Sequence, residues 1–486
     1  MSQRMDSNVD NSSIPLLVDL DGSLIKTDTL FETAMLVLSR QPWLVFMLAV
    51  WFLRGKPVLK RELSRRCQLN VDSLPYNESV IDYCRRAHDS GRSIILCTGS
   101  WHTIAERIAE KFDWISDVAA TDSQRNLTGV DKAQWAIGRF GERGFDYLGN
   151  SRKDLLVWQH ARQAIVLGSE SLVKAAEPLT SVEHYIPEAK PTVKVYAKAI
   201  RVHQWAKNSL VFVPLVTAHL WGSRDAVIAS ILAFFALSLV ASATYLLNDL
   251  FDLEADRLHS TKCKRPLAAG LISIPQGVGL GVMLMALALL ICQWLNGLFL
   301  AVLVAYLVVT IAYSFKLKRL QSVDVLVLAC LFTVRVIAGT AAIEVEPSFW
   351  LLGFSMFIFF SLALVKRVTE LIRMEKESQC DEGKVIGRGY FTVDTVMLQS
   401  LGGASGLLSV LVFALYINTP DVKALYTHPE LLWLMCPVLA YWIMRIWILT
   451  VRDEMHDDPI SFAIKDVNSI VAGAVMVLVL LLASWL

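Results

Sequence analysis

Hydrophobic and polar positions follow two different patterns along this chain. Up to about residue 192, short apolar runs such as residues 14–18 and 93–97 alternate with polar, charged segments. Such runs are typical of the strands and helices of an α/β domain. From residue 193 onwards, long apolar stretches dominate. The pattern therefore predicts a multidomain chain, with an α/β domain first and an all-α bundle of membrane-spanning helices second.

The second region contains about nine apolar stretches that could cross a bilayer. The first of them is short and contains Pro214. The predicted transmembrane helices are residues 208–222, 226–247, 276–294, 297–314, 323–342, 349–366, 401–417, 430–451 and 467–486.

Lysine and arginine are concentrated in one set of loops between these spans. The opposite loops carry little more than Arg224 and Lys423. Because basic loops stay in the cytoplasm, we expect the amino-terminal domain inside and the carboxyl terminus outside. The basic loops contain Arg257, Lys262, Lys264, Arg265, Lys316, Lys318, Arg319, Lys366, Arg367, Arg373, Lys376, Lys384, Arg388, Arg452 and Lys465.

Two segments fit neither pattern. Residues 43–53 are apolar but short, and they lie between Arg40 and Arg54. They are therefore predicted to enter the membrane interface or to pack within a helical cap, with a tenth span as the less favoured alternative. Residues 169–192 contain prolines and several charges, and we predict that they link the two halves.

Composition excludes several classes of protein. With 54% hydrophobic residues and a mean hydropathy of +0.47, the chain is too apolar for an ordinary soluble enzyme. A net charge of +1 gives no reason to expect nucleic-acid binding. The eight cysteines are scattered without a Cys-x-x-Cys pair, which fits a reducing compartment and indicates neither zinc nor disulfides. Residues 1–13 are polar and acidic, so no secretory signal is expected.

An acidic cluster follows the apolar run of residues 230–247. Its members are Asn248, Asp249, Asp252 and Asp256. Spacings of three and four residues place the three carboxylates on one face of a helix, where they repel one another. Charged groups at a membrane edge are costly and usually functional. Mg²⁺ would remove the repulsion and would take its remaining ligands from substrate phosphates, so the cluster predicts a Mg²⁺-dependent diphosphate site.

A second set of motifs, in the α/β part, also indicates phosphate chemistry. Asp19 and Asp21 directly follow the first apolar run and could act as a nucleophile and a general acid/base around a metal ion. Gly22 permits a tight turn after them. The companion residues, in chain order, are Thr98, Lys132, Asn150 and Asp154.

In this order the motifs resemble the haloacid dehalogenase superfamily of phosphotransferases, over about residues 12–168. The resemblance implies a Rossmann-like fold, in a domain of residues 1–168, with a helical cap at about 27–90. It also implies that Asp19 accepts the phosphoryl group and that Asp21 is the general acid/base. The alternative is a degenerate domain that is kept for docking.

The same resemblance implies a substrate and metal shell around Asp19. Thr98 and Lys132 would hold the phosphoryl oxygens. Asp154, together with Asp19 and the Asp21 carbonyl, would bind Mg²⁺. Asn150 stands where many members carry an acidic residue, and we expect this to weaken metal binding rather than abolish it.

Residues 193–486 resemble the UbiA superfamily of intramembrane prenyltransferases. The acidic cluster follows the second predicted span, and Lys262 and Arg265 follow it, the latter in an Arg-Pro-x-Ala-x-Gly context. By this resemblance Asp249 and Asp252 are the central catalytic residues, and the cations bind phosphate oxygens that the metal leaves uncovered. For Lys262 the alternative is positive-inside anchoring.

Members that use aromatic acceptors usually carry a second acidic cluster two spans later. This chain has only Asp324 there, behind three cations. The chain looks most like the bacterial decaprenyl-phosphate phosphoribosyltransferase branch, whose members transfer 5-phosphoribose from phosphoribosyl diphosphate to a polyprenyl phosphate. The further candidate substrate-binding residues are Lys207, Tyr313, Lys318, Asp324, Arg335 and Lys366.

This reading implies a bacterial inner-membrane enzyme whose active sites face the cytoplasm, with the amino-terminal domain as a phosphatase for the product. Two alternatives stay open. One is an ordinary prenyltransferase that joins an isoprenoid diphosphate to an aromatic or other small acceptor. The other is a non-catalytic carrier or scaffold whose acidic loop only binds ions.

Overall fold

The computed structural model describes residues 13–377, 389–455 and 458–485. Lys384 and Arg388 of the predicted basic loops, and residues 1–12 of the polar amino-terminal segment, lie outside this part of the chain. The chain divides into two compact units. The first is Met1–Ile200 with Tyr245–Gly281, and the second is Arg201–Thr244 with Val282–Leu486.

A six-stranded parallel sheet in the order β3-β2-β1-β4-β5-β6 forms the core of the first unit. Helices connect consecutive strands, as parallel pairing requires. The predicted α/β fold is confirmed. The strands are β1 Leu16–Val18, β2 Ile94–Trp101, β3 Ile115–Thr121, β4 Asp146–Gly149, β5 Gln163–Gly168 and β6 Ser181–Pro187. The helices are Thr29–Arg40, Val45–Leu53, Lys56–Arg66, Glu78–Asp89, His102–Ala109, Val130–Phe140, Leu155–Trp158, Glu170–Ala176 and Val193–Ala199.

Three helices between β1 and β2 form the cap, which is shorter than the predicted range of about 27–90. Thr29–Arg40, Val45–Leu53 and Lys56–Arg66 share a small core around Trp51. The last helix of that range, Glu78–Asp89, instead packs against the sheet, because its apolar positions Val80, Ile81 and Cys84 belong to the core around β1 and β2.

The predicted linker at residues 169–192 is largely part of the α/β domain. It contains a helix, Glu170–Ala176, and the edge strand β6, which pairs with β5. Leu172 and Ala176 are buried in the core. The structure differs from the prediction because these apolar positions are spaced for one helix face, although prolines and charges surround them.

The apolar segment at residues 43–53 forms a short helical piece of the cap. Pro42–Leu44 is a 3₁₀ turn and Val45–Leu53 is a helix. Trp51 is buried, but Phe46 and Leu53 are exposed. At this length the segment is too short for an ordinary span, as the sequence indicated.

Within the described residues, eight helices are long and apolar enough to cross a membrane. The all-α membrane region is therefore confirmed, with eight candidate spans instead of about nine. They are Arg224–Phe251, Ile274–Trp294, Gly297–Phe315, Val323–Ala342, Phe349–Lys376, Thr392–Ile417, Pro429–Val451 and Val467–Ser484. Shorter helices at Leu253–Leu258, Pro420–Leu425 and Pro459–Lys465 connect some of them.

The first predicted span, residues 208–222, is broken into short pieces. Val202–Phe212 is a 3₁₀ helix and Val213–Thr217 is an α-helix of five residues. Pro214 occupies the first turn of that helix, where a missing backbone N–H is tolerated. The break brings the Val211 carbonyl close to helix Val323–Ala342: a Cβ added at Gly339 would lie 2.2 Å from this oxygen.

This contact predicts that Gly339→Ala destabilises the membrane region. The methyl group has no space beside the Val211 carbonyl, so the segment must shift, at a cost of about 1–3 kcal/mol. Thermal unfolding in detergent should show a lower Tm for the variant. Gly403→Ala is the matched control, because no heavy atom lies within 4 Å of the added methyl group. Equal Tm values for the two variants would contradict the contact.

Candidate functional site

The sheet order places a ligand site at the carboxyl ends of β1 and β4. Connections leave β1 towards β2 and arrive at β4 on its other side, so the chain opens a crevice between these strands. Asp19 directly follows β1, and Asn150 directly follows β4. The first set of predicted residues is therefore gathered here by topology.

Asp19, Lys132, Tyr147 and Asp154 form one buried hydrogen-bonded chain. Lys132 Nζ donates to Asp19 Oδ1 at 2.6 Å and to the Tyr147 hydroxyl at 2.8 Å. The Tyr147 hydroxyl donates to Asp154 Oδ1 at 2.9 Å. A buried charge is tolerated when it is paired in this way. The network fixes the Asp19 carboxylate at the floor of the crevice.

Asp154 also caps the turn that follows β4. Its Oδ2 accepts hydrogen bonds from the backbone N–H groups of Asn150 and Ser151, at 3.1 and 2.8 Å, and from the Ser151 hydroxyl. Asn150 Nδ2 donates to the Gly22 carbonyl at 2.8 Å. These bonds tie the ends of β1 and β4 together.

Asp21 is held apart from the Lys132 network. Ser100 Oγ donates to Asp21 Oδ2 at 2.5 Å, and the backbone N–H of Thr29 donates to Oδ1 at 2.8 Å. Burial, with the nearby Asp28, raises the pKa of Asp21 to about 6. Burial also raises the pKa of Asp19 to about 7, against the opposing charge of Lys132. A carboxyl group with a pKa near neutrality is suited to proton transfer.

Thr98 lies inside β2 and is fully buried. Its hydroxyl accepts the backbone N–H of Ser100 at 3.0 Å, so it shapes the end of that strand. Sequence reasoning missed Tyr147 and Ser100. Both stand beside residues that it singled out, on strands whose carboxyl ends meet in the crevice, and this topology was the available signal.

The donor types of this crevice fit Mg²⁺, which prefers oxygen ligands. Asp19, Asp154 and the Asp21 carbonyl supply such oxygens. Within the described residues, however, no three His, Cys, Asp or Glu side chains are grouped closely enough to hold an ion. Metal binding here therefore needs a small rearrangement of the carboxylates.

The acidic cluster lies at the end of helix Arg224–Phe251 and in the following helix, Leu253–Leu258. Arg265 Nη1 lies 3.0 Å from Asp249 Oδ1 and 2.5 Å from Asp256 Oδ2, so one guanidinium bridges two buried carboxylates. Asn248 Nδ2 donates to Asp252 Oδ2 at 3.0 Å. The structure thus brings Arg265 to the acidic cluster, whereas Lys262 is exposed in the next turn.

This cluster also offers the oxygen donors that Mg²⁺ prefers, from three carboxylates and one amide. Arg265 supplies the positive charge between Asp249 and Asp256. Binding of Mg²⁺ by these two carboxylates requires the guanidinium to move, which would free it for a phosphate oxygen.

In the second unit, Lys207 and Lys366 share one acidic partner. Lys207 Nζ lies 3.0 Å and Lys366 Nζ 3.8 Å from the carboxylate of Asp458. Burial lowers the pKa of Lys207 to about 8, against the opposing charge of Asp458. Two predicted phosphate-binding lysines are therefore together, with a partner that the sequence identified only as part of an acidic turn.

Asp324 is not available as an open metal ligand. It is 0% exposed, and its oxygens lie 2.7 Å from Arg367 Nη2 and 2.6 Å from the Tyr390 hydroxyl. Arg367 is likewise 0% exposed and also pairs with Glu370. A buried pair of this kind fixes the packing of helices Val323–Ala342 and Phe349–Glu377.

Arg335 lies one face further along helix Val323–Ala342 and is also buried. Its Nε donates to Asn208 Oδ1 at 2.8 Å, its Nη2 donates to the Tyr306 hydroxyl at 3.2 Å, and its Nη1 donates to the Leu331 carbonyl. These neutral partners leave its positive charge without a printed carboxylate neighbour. Tyr313 and Lys318 are half-buried at the end of helix Gly297–Phe315 and in the turn after it.

Comparison with known proteins adds independent information. Residues 211–470 match the model of the UbiA prenyltransferase family. An uncharacterized protein, y4nM, of Sinorhizobium fredii is 36% identical over 97% of this chain and 91% of its own length. Nodulation protein NoeC of Azorhizobium caulinodans is 31% identical over 58% of this chain and 91% of its own length. The decaprenyl-phosphate phosphoribosyltransferase of Mycobacterium tuberculosis is 33% identical over 46% of this chain and 74% of its own length. The family match covers more than half of the chain, so this protein belongs to the UbiA prenyltransferase family.

Proposed function

We propose that the membrane region transfers 5-phosphoribose from phosphoribosyl diphosphate to a polyprenyl phosphate, and that the α/β domain then removes the 5-phosphate. Similarity to relatives named decaprenyl-phosphate phosphoribosyltransferase supports the first step. The Asp19–Lys132–Tyr147–Asp154 chain supports the second. The protein would act in a bacterial inner membrane, with both sites on the cytoplasmic side.

The observation that carries the choice of substrates is the neutralisation of Asp324. Its pairing with buried Arg367 and Tyr390 leaves Asp249, Asp252 and Asp256 as the acidic cluster that is suited to Mg²⁺. Arg335, Lys207 and Lys366 add positive charge elsewhere. Phosphoribosyl diphosphate and a polyprenyl phosphate together carry several phosphate groups to match these cations, whereas a phenolic acceptor carries none.

In the transfer step, a phosphate oxygen of the lipid attacks the anomeric carbon of the donor. The bond from that carbon to diphosphate breaks, and diphosphate leaves with the bonding electrons. Asp249, Asp252 and Asp256 would hold Mg²⁺, which when bound supplies charge stabilisation for the leaving diphosphate. Arg265 would bind a diphosphate oxygen, and the lysines would orient the remaining phosphates, so positioning and electrostatics carry the catalysis.

In the hydrolysis step, an Asp19 carboxylate oxygen attacks the phosphorus of the 5-phosphate. The bond from phosphorus to the ribose oxygen breaks, and Asp21 gives that oxygen a proton. Water then attacks the phosphoaspartate with Asp21 as the base, which releases phosphate and restores Asp19. Lys132 would neutralise the phosphoryl oxygens from its position at 2.6 Å from Asp19.

A donor comparison tests the transfer. The full chain, purified into lipid vesicles with Mg²⁺, receives either labelled phosphoribosyl diphosphate with a polyprenyl phosphate, or a labelled isoprenoid diphosphate with an aromatic acceptor. We expect labelled ribose in the lipid fraction and no prenylated acceptor. Prenylation of the acceptor without ribose transfer would replace this proposal with an ordinary prenyltransferase. If neither label moves, a carrier or scaffold role is favoured.

A further inference from the structure

The cavity above Asp19 is built from two distant parts of the sequence. It has a volume of about 1010 Å³ and contains Asp19, Asp21 and Lys132 at its floor. Another side of it is lined by residues 270–276, which directly follow the Arg-Pro-x-Ala-x-Gly sequence of the transferase. A cavity of this size can enclose far more than a phosphoryl group and a ribose.

The wall formed by residues 270–276, which we call the motif wall, is packed tightly against the α/β domain. Gly270 has φ of +70°, and a Cβ added there would lie 2.8 Å from Lys26 Cβ. Glycine is therefore required both by the backbone conformation and by the close approach.

A buried ion pair joins the cap to the chain just before the motif wall. Arg257 Nη1 and Nη2 donate to the two oxygens of Glu32 at 3.0 and 2.6 Å, and Arg257 Nε donates to the Ala268 carbonyl at 3.0 Å. Thr27, which lines the cavity, donates to Glu32 at 2.6 Å. A bidentate pair of this kind specifies geometry as well as charge.

The chemistry of the cavity edge suits a lipid-linked substrate. Leu271 on the motif wall is 49% exposed, and Phe31 on the cap is 39% exposed, and both line the cavity. Apolar side chains left accessible at a cavity edge can cover an isoprenoid chain. Lys26 lines the same cavity and can pair with a second phosphate group beyond the one at Asp19.

We propose that the motif wall selects the substrate of the phosphatase site: a polyprenyl-phosphoryl sugar whose terminal phosphate reaches Asp19. The phosphodiester of this substrate lies at Lys26, and its first isoprenoid units contact Leu271 and Phe31. The inference rests on the proposed phosphatase function and adds the class of substrate. It also means that the phosphatase cavity is complete only when the transferase motif is folded against the α/β domain.

Substrate competition tests the proposal. Phosphate release by the full chain in detergent is measured with farnesyl-phosphoryl-ribose 5-phosphate and, separately, with ribose 5-phosphate. We expect kcat/KM to favour the lipid-linked compound, and Leu271→Asp to lower this preference on the order of tenfold. Leu258→Asp is the matched control, because Leu258 is equally apolar, is 66% exposed and is not a cavity residue.

Gly270→Ala is a second, purely steric variant, which pushes the motif wall away from Lys26. It should also lower the preference, whereas Gly279→Ala, with no heavy atom within 4 Å of its added methyl group, should not. An unchanged preference in both Leu271→Asp and Gly270→Ala, while Asp19→Asn stops hydrolysis of both compounds, would overturn the selective wall and leave the phosphatase standing. Hydrolysis that survives Asp19→Asn would remove the proposed phosphatase, and this inference with it.

Discussion

Asp249→Asn and Asp252→Asn should each lower transfer of ribose to polyprenyl phosphate on the order of 10²–10³-fold. Each change keeps the shape of the side chain and removes one negative charge from a cluster that we propose to hold Mg²⁺ and diphosphate. Asp249 is buried and pairs with Arg265, so its loss also leaves the guanidinium with a single printed acidic partner, Asp256. The assay is incorporation of labelled ribose into lipid at saturating Mg²⁺.

A control at the other end of the same helix separates a charge effect from a folding effect. Asp225 lies in the first turn of helix Arg224–Phe251 and is exposed, so Asp225→Asn should retain full activity. Titration calorimetry with diphosphate and Mg²⁺ supplies a second readout, since binding should weaken in Asp249→Asn and persist in Asp225→Asn. Turnover unaffected by either cluster variant would mean that the acidic cluster is not the diphosphate site.

Hydropathy located most of the membrane helices because the bilayer demands about twenty apolar residues in a row. The predicted span 323–342 coincides with a helix of the structure, and 297–314 differs by one residue. Residues 208–222 satisfied the composition but not the geometry. Pro214 and the 3₁₀ run before it break the segment, and its backbone packs close to Gly339, a contact that no local pattern encodes.

The phosphatase residues could be predicted individually because each follows an apolar strand. Their convergence follows from the parallel sheet and its switch point between β1 and β4. The Lys132–Tyr147–Asp154 connections could not be predicted, because they depend on which side chains meet across strands. The prolines and charges of residues 169–192 likewise hid the strand β6.

Pairing explains the remaining differences at the transferase residues. Asp324 was a candidate substrate residue by its position, but its partners Arg367 and Tyr390 are 43 and 66 residues away and decide its charge state by contact. Arg257 was only one cation among many in a basic loop, and its buried pair with Glu32 spans 225 residues of sequence. Long-range pairs of this kind are visible only in the folded chain.

Asp19→Asn should lower phosphate release from the transfer product at least about a thousandfold, because the amide cannot accept a phosphoryl group. The transfer itself should continue, so the polyprenyl product is expected to accumulate with its 5-phosphate. Burial raises the pKa of Asp19, which means that the site already disfavours the ionised form, so a neutral amide should be tolerated by the fold. Product is extracted and its phosphate content measured by mass spectrometry.

Asp89→Asn controls for this change, since Asp89 is an exposed aspartate at the end of helix Glu78–Asp89 and is not a cavity residue. It should release phosphate at the rate of the unmodified chain. Retained release in Asp19→Asn would make the α/β domain a docking module. Loss of release together with intact transfer would instead support two consecutive reactions in one chain, in which tethering keeps the second site at a high local concentration, on the order of millimolar for a short linker, relative to the product of the first.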